Sequence, residues 1–157
     1  AFSNILNELQ SDTKLYIIGE GEENDSLKEI VNKLSINERV IFTGAIHDNA
    51  LLKTHFSKSY AYISPGPVGL GVLHSFAYGV PVVTLDYGKH GPEYHNIIDN
   101  ENGLLFNDIN ELERIIVNLE KNKINTIRLG SNAFNHYTNK RNINLMVNGL
   151  IQAIDYD

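Results

Sequence analysis

Apolar positions along the chain switch repeatedly between short β-rich runs and helical spacing. Phe2, Ile5, Leu6 and Leu9 share one face of an amphipathic helical pattern at the start. Residues 14–19 (KLYIIG) read as a buried strand ending in glycine. Residues 26–34 read as a helix with Leu27, Ile30, Val31 and Leu34 on one face. Residues 40–44 (VIFTG) form a second strand, and Asp48 stands as the N-cap of a helix to about Ser57. Residues 60–64 (YAYIS) form a third strand, followed by the turn PGPVGLG and a helix to about Tyr78. Gly79 sits where a helix C-terminus favours glycine. Residues 81–85 (PVVTL) and 103–106 (GLLF) are strands four and five, with proline tolerated at a strand's first position. Asp108 caps a helix carrying Leu112, Ile115, Ile116 and Leu119, and residues 124–136 and 141–154 read as two further helices. Strands alternating with helices at this spacing imply βαβ units in an α/β fold with an open parallel sheet. Residues 86–102 are the longest stretch without clear periodicity, and long loops in compact domains are often functional.

Composition narrows the function classes. A length of 157 residues suits one domain able to bury its own core. The chain has no cysteine, which removes disulfides and thiolate metal sites and fits a reducing, cytoplasmic setting. A formal net charge of -6 disfavours nucleic acid and anionic membranes as partners of this domain. No apolar run approaches the roughly 18 residues of a membrane span, and no signal-peptide pattern opens the chain. An α/β domain usually begins with a strand, so a helix-like opening marks the chain as cut from a longer protein.

In open parallel sheets, ligands bind beyond the carboxyl ends of the strands. Three strand ends are prepared for one: Gly19 to Gly21, Gly44-Ala45-Ile46, and the loop from Pro65 to Gly71. The third is the strongest. Gly66, Gly69 and Gly71 remove side chains where a ligand approaches the backbone. The helix behind them offers unpaired N–H groups suited to phosphate. A tight turn without a ligand is the alternative. The spacing G-x-x-G-x-G matches neither a Walker A loop nor the dinucleotide fingerprint. His74 lies a turn into the helix, and helical side chains lean toward the N-terminus. Its imidazole therefore reaches back beside Leu70 and Gly71, or it is an unrelated histidine. Leu70, Leu73, Phe76 and Ala77 serve as the helix's buried stripe. Glu93, in HGPEYHNII, is either a ligand contact or a helix N-terminal acid. His90 and His95 stand five residues apart in the irregular stretch, where a metal is possible, but no carboxylate–histidine cluster has a recognisable spacing and no metal site is expected.

The segment SPGPVGLGVLHSFAYGVPVV resembles the donor-binding half of GT-B glycosyltransferases, specifically the retaining group known as family 4. Members read P-S-x-x-E-G-F-G-L-x-x-x-E-A-M-A-x-G-x-P-V. Gly69 and Leu70 match the G-L pair, Ala77 the second alanine, and Gly79, Pro81 and Val82 the ending. Upstream, LYIIGEG and NERVIFTGAIHDNAL resemble the family's Gly-x-Gly turn and its R-V-x-F-x-G segment. Downstream, GPEYHNIIDNENGLLF resembles its G-x-x-E-x-I-x-D-x-x-N-G-L-L segment. The family's two glutamates fall on Gly66 and His74. Some bacterial members are similar in carrying P-G-x-V-G-L with a later histidine.

The resemblance implies a Rossmann-like parallel sheet with helices on both faces, one half of a GT-B fold. It implies a donor domain over residues 1–157 that lacks its first strand and the N-terminal acceptor domain. It further implies binding of a UDP- or GDP-sugar, without metal, for retaining transfer to a glycan or lipid-linked acceptor in bacterial polysaccharide synthesis. Gly19, Gly44, Ala45, Ile46, Gly66, Gly69, Leu70, Gly71, His74 and Glu93 are the expected donor-site residues. The setting is cytoplasmic, with peripheral attachment to the inner membrane face open to the whole protein. Two rival readings remain: a non-catalytic α/β nucleotide-binding or interaction module, favoured by the missing glutamates, and a nicotinamide-dependent domain, which lacks its fingerprint.

Overall fold

Several helix starts in this chain are set by short polar side chains. Asp48, Asp108 and Asn122 each accept a hydrogen bond from the backbone N–H three residues on, at 2.8, 2.8 and 3.1 Å. Each satisfies one N–H that the helix itself leaves free. The structure, a computed structural model, describes residues 1–154. Its strands are β1 (Leu15–Ile18), β2 (Val40–Gly44), β3 (Tyr62–Ser64), β4 (Val82–Leu85) and β5 (Gly103–Phe106). Its helices are α1 (Asn24–Lys33), α2 (Asn49–Phe56), α3 (Gly71–Ala77), α4 (Ile109–Lys121), α5 (Lys123–His136) and α6 (Ile143–Ile154). Every strand pair is parallel, with Val82 level with Tyr62 on one side and Gly103 on the other. The α/β class is therefore as expected, but the strands lie in two pieces, β1-β2 and β3-β4-β5.

β4 is buried on both faces, as a central parallel strand must be. Val82 packs with Val68, Val72 and Phe76 around α3 and with Ala133 of α5. Val83 packs on the opposite side with Leu104, Phe106, Leu112 and Leu119, under α4. Helices thus cover both faces, and the core centres on the strand that follows the glycine-rich segment.

Three elements depart from the apolar pattern. The first ten residues form only a short 3₁₀ helix, Phe2–Ile5, which is enough to bury Ile5, while Leu9 is buried in the turns beyond it. α1 buries Val31, yet Leu27, Ile30 and Leu34 of the same stripe stay exposed. α3 begins at Gly71, so Leu70 precedes the helix and is 65% exposed. The buried stripe of α3 is Val72, Ser75 and Phe76, in place of Leu70, Leu73, Phe76 and Ala77. The expected loop at residues 86–102 also contains a 3₁₀ helix, Pro92–Asn96.

Candidate functional site

The end of β3 is fixed from below. The buried Thr84 hydroxyl donates to the Ser64 carbonyl at 2.7 Å, so the chain leaves the sheet at a defined point. The loop that follows is anchored by one side chain, Val68, which sits in the core. On either side of this anchor the glycines differ. A side chain at Gly66 or Gly69 would meet nothing within 4 Å. A side chain at Gly71 would fall 2.5 Å from the Tyr62 hydroxyl oxygen and 2.9 Å from its ring. Gly71 is therefore needed for packing, because the helix start passes directly over Tyr62. Gly66 and Gly69 leave open space above the loop.

Val72 N–H donates to Gly69 O, and His74 N–H to Leu70 O, both at 3.1 Å. Among the described residues, no backbone or side-chain acceptor takes the amides of Gly69, Leu70 or Gly71. The loop thus presents three consecutive unpaired donors. His74 is exposed on α3, the next turn of the same segment.

A second loop closes on the first. A side chain at Gly91 would fall 3.0 Å from the Val68 carbonyl oxygen and 2.7 Å from the Glu93 carboxylate. Glycine lets these two loops meet this closely without either giving way, and Glu93 folds back to the contact. Glu93 is also the acid in the first turn of the Pro92–Asn96 helix, as one of its two sequence readings has it. Tyr94 OH donates to the Asp86 carbonyl and carboxylate at 3.1 and 3.2 Å, tying the helix to the end of β4. Burial first, then the Asp86 hydrogen bond and nearby acids, raise the Tyr94 pKa above its usual 10.0, so the phenol keeps its proton at neutral pH. His90 stacks on the Tyr94 ring, with centroids 4.3 Å apart and planes 14° apart.

Behind this, α5 holds the base of the segment. Arg128 and Asn132 donate to the Asn100 and Glu101 carbonyls at 3.0 and 2.9 Å. Buried Asn102 accepts from Ile98 N–H at 2.8 Å and donates to Asn96 O at 3.0 Å.

The expected residues fall into two groups. Gly66, Gly69, Leu70, Gly71, His74 and Glu93 lie together at the ends of β3 and β4. Gly19, Gly44, Ala45 and Ile46 lie at the ends of β1 and β2, where Gly19 N–H donates to Gly44 O at 2.9 Å. Gly19 (φ +138°) and Gly44 (φ +70°) both adopt backbone conformations that favour glycine. Ala45 is exposed and Ile46 half-buried. Two open surface depressions lie elsewhere, one between α1 and β2 around Val31 and Phe42, the other between Ile5 and α4. Among the described residues, no group of three or more His, Asp or Glu side chains is placed to hold a metal ion. Among the same residues, no helix is long and apolar enough to cross a membrane.

Sequence reasoning missed two features. Glu120 of α4 is a buried carboxylate that accepts from Gln10 N–H at 3.0 Å and from the Thr13 hydroxyl. His90, weighed only as a metal ligand, has both ring nitrogens buried and without a partner among the described residues. Neither burial leaves a local signal in the chain.

Residues 1–122 match the family described as glycosyl transferases group 1. The chain belongs to that family. It is 33% identical over 99 residues to the lipopolysaccharide core biosynthesis glycosyltransferase LpsE of Rhizobium meliloti (strain 1021). That match takes in 63% of this chain and 28% of LpsE. The fold is similar to that of S. aureus TarM, seen as a point mutant in complex with fondaparinux, alpha-GlcNAc-glycerol and UDP. The TM-score is 0.80 at 21% identity, covering 96% of this chain and 30% of TarM. It is also similar to the C-terminal domain of LpcC, a group 1 glycosyl transferase of Francisella tularensis. There the TM-score is 0.73 at 20% identity, covering 90% of this chain and 76% of that one. This group 1 chain therefore spans less than a third of LpsE and of TarM.

Proposed function

We propose that this chain is the donor-binding domain of a retaining glycosyltransferase that uses a UDP- or GDP-sugar in bacterial glycan synthesis. The observation that carries the reading is the open loop at the end of β3. It offers the free amides of Gly69, Leu70 and Gly71, with Glu93 brought to it from the next loop. Three consecutive backbone donors suit a diphosphate. His74, exposed one turn on, holds a ribose or phosphate oxygen in place of the family's second glutamate. The base lies against Gly44, Ala45 and Ile46 beside Gly19. Gly66 leaves open the space where the family's first glutamate would stand, and Glu93 approaches the sugar or phosphate. Catalysis is then electrostatic, through donors aimed at the departing nucleoside diphosphate, without a metal.

Membership of the family, the LpsE likeness and UDP in the TarM complex support this reading. Transfer itself belongs to the whole protein, in the cytoplasm or at the inner membrane face. There an N-terminal domain brings the glycan or lipid-linked acceptor, and a strand encoded before Ala1 completes the sheet.

Calorimetry on the full-length protein tests this with UDP, GDP, their sugars and NAD. Saturable binding of one nucleoside diphosphate, with NAD inert, is the expected result. Absence of binding by every nucleotide would leave the interaction-module reading, which the two missing glutamates favour.

A further inference from the structure

Glu20 follows Gly19 at the end of β1 and is exposed, yet its side chain does not simply run out into water. A side chain at Gly44 would fall 3.3 Å from Glu20 Oε1, so the carboxylate lies against the end of β2. Glycine at position 44 leaves clear the space that the carboxylate borders. Among the described residues, Glu20 has neither a hydrogen-bond nor an ion-pair partner, unlike Glu111, Glu113 and Glu120. The backbone groups of Ala45 and Ile46, next along the chain, are unpaired among the same residues. A solvent-open acceptor and two free peptide units therefore border one place, the end of β2, where the donor-domain reading seats the base.

A carboxylate accepts hydrogen bonds and donates none. The nucleobases divide on this property. Uracil and guanine each present a ring N–H on the edge that pairs in a duplex. Cytosine and adenine present a ring nitrogen lone pair at the corresponding place. A carboxylate set at that edge attracts the first pair and repels the second, and repulsion contributes to selectivity as much as attraction does. Free peptide units alone would not discriminate in this way, because each carries a donor and an acceptor and can match either pattern.

We infer that Glu20 is a base-selecting residue, its carboxylate accepting a hydrogen bond from the ring N–H of uracil or guanine in the donor nucleotide. This rests on the donor-domain reading above and adds a side chain to a base site otherwise built from backbone. The diphosphate is then held by amides at the end of β3, and the choice of base is made at the ends of β1 and β2.

The test is calorimetry on the full-length protein, wild type and Glu20→Gln, with UDP, GDP, CDP and ADP as probes. All four carry the same diphosphate, so differences among them report the base. Wild type is expected to bind UDP or GDP roughly tenfold or more tighter than CDP and ADP, the scale of one hydrogen bond to a charged group. Preference for UDP identifies uracil, and preference for GDP identifies guanine. Glu20→Gln keeps the shape of the side chain and adds a donor. Its melting temperature is expected to match wild type, since Glu20 is exposed, while the preference over CDP and ADP shrinks roughly tenfold. Equal binding of all four nucleotides by wild type overturns the inference and leaves the diphosphate site standing. A preference that Glu20→Gln leaves unchanged also overturns it, and assigns base choice to the backbone of Ala45 and Ile46. Failure of wild type to bind any of the four overturns the donor-domain reading, and the role of Glu20 falls with it.

Discussion

Identical residues in this chain do different work, and the glycines make the case. Gly66 is free of neighbours and has no left-handed backbone, whereas Gly130 of α5 lies against the Gly79 carbonyl, where a side chain would approach to 2.2 Å. Gly130→Ala forces two backbones apart and is expected to cost about 1–3 kcal/mol in urea unfolding. Gly66→Ala and even Gly66→Glu are expected to stay within about 0.5 kcal/mol of wild type. A large loss at Gly66 would show that the loop is packed more tightly than its free space indicates. Buried Glu120 gives a second contrast. Glu120→Ala strands Gln10 N–H and the Thr13 hydroxyl, so a loss of roughly 1–3 kcal/mol is expected in the same assay. His74, by contrast, is exposed, with no side-chain partner among the described residues. His74→Ala should leave stability alone and weaken nucleotide binding by roughly 1–3 kcal/mol, as read by calorimetry. In sequence, Gly66, Gly71 and Gly130 look alike. What separates them is a neighbour distant along the chain, which is why the loop was legible and the role of each glycine was not.

Elements were legible where their signals are local. The bounds of β2 and β5 match the apolar runs, and the capping roles of Asp48 and Asp108 were readable because a cap bonds within its own turn. The buried stripe of α3 was misread because it depends on α5 and the segment Tyr137–Arg141 packed across it. That packing has a pH consequence. His136, the last residue of α5, meets Phe76 of α3 edge-on, with centroids 5.9 Å apart. Its Nε2 lies 3.4 Å from Asn96 Oδ1, an oxygen that also accepts from Arg141 Nε at 2.6 Å. Burial first, then the charges of Lys140 and Arg141, lower the His136 pKa from 6.5, outweighing the opposite pull of Glu101. The folded state therefore favours neutral imidazole. The stability this contributes is present above the unfolded value and is lost as pH falls through the lowered folded value. Urea midpoints of wild type are expected to drop more than those of His136→Gln between about pH 7.5 and about pH 5.5. Parallel midpoints in the two proteins would place the titrating group elsewhere.

At the scale of the whole molecule the sheet lies in two pieces, and the hydrogen-bond parity of the strands shows which residues turn to the free edges of β1 and β3. In a parallel ladder, alternate residues turn both backbone groups to the same edge. Leu15 and Gly19 donate to β2, at Arg39 O and Gly44 O, so Tyr16 and Ile18 turn their backbone groups to the other edge of β1. Tyr62 donates to Pro81 O beside β4, so Ile63 turns to the free edge of β3. α2 spans both edges: His55 lies on Tyr16 with centroids 5.2 Å apart, and Phe56 on Tyr62 at 6.3 Å. A helix about 10 Å across covers two strand spacings of about 4.8 Å each, which is room for one strand between β1 and β3. Sequence order also runs outward from this point in both directions, β1 to β2 on one side and β3 to β5 on the other. One strand placed there, ahead of β1 in the chain, yields the order of a doubly wound sheet with its switch point at the candidate site. We therefore expect the Tyr16, Ile18 and Ile63 amides of the full-length protein to exchange hydrogen as slowly as that of Val83 in the centre of β4. The strand would also cover the edge beside Tyr16 and Ile18, now 46% and 38% exposed. Exchange of these three amides at the rate of an exposed loop would show that the edges stay open, and that the sheet is two pieces in the whole protein as well.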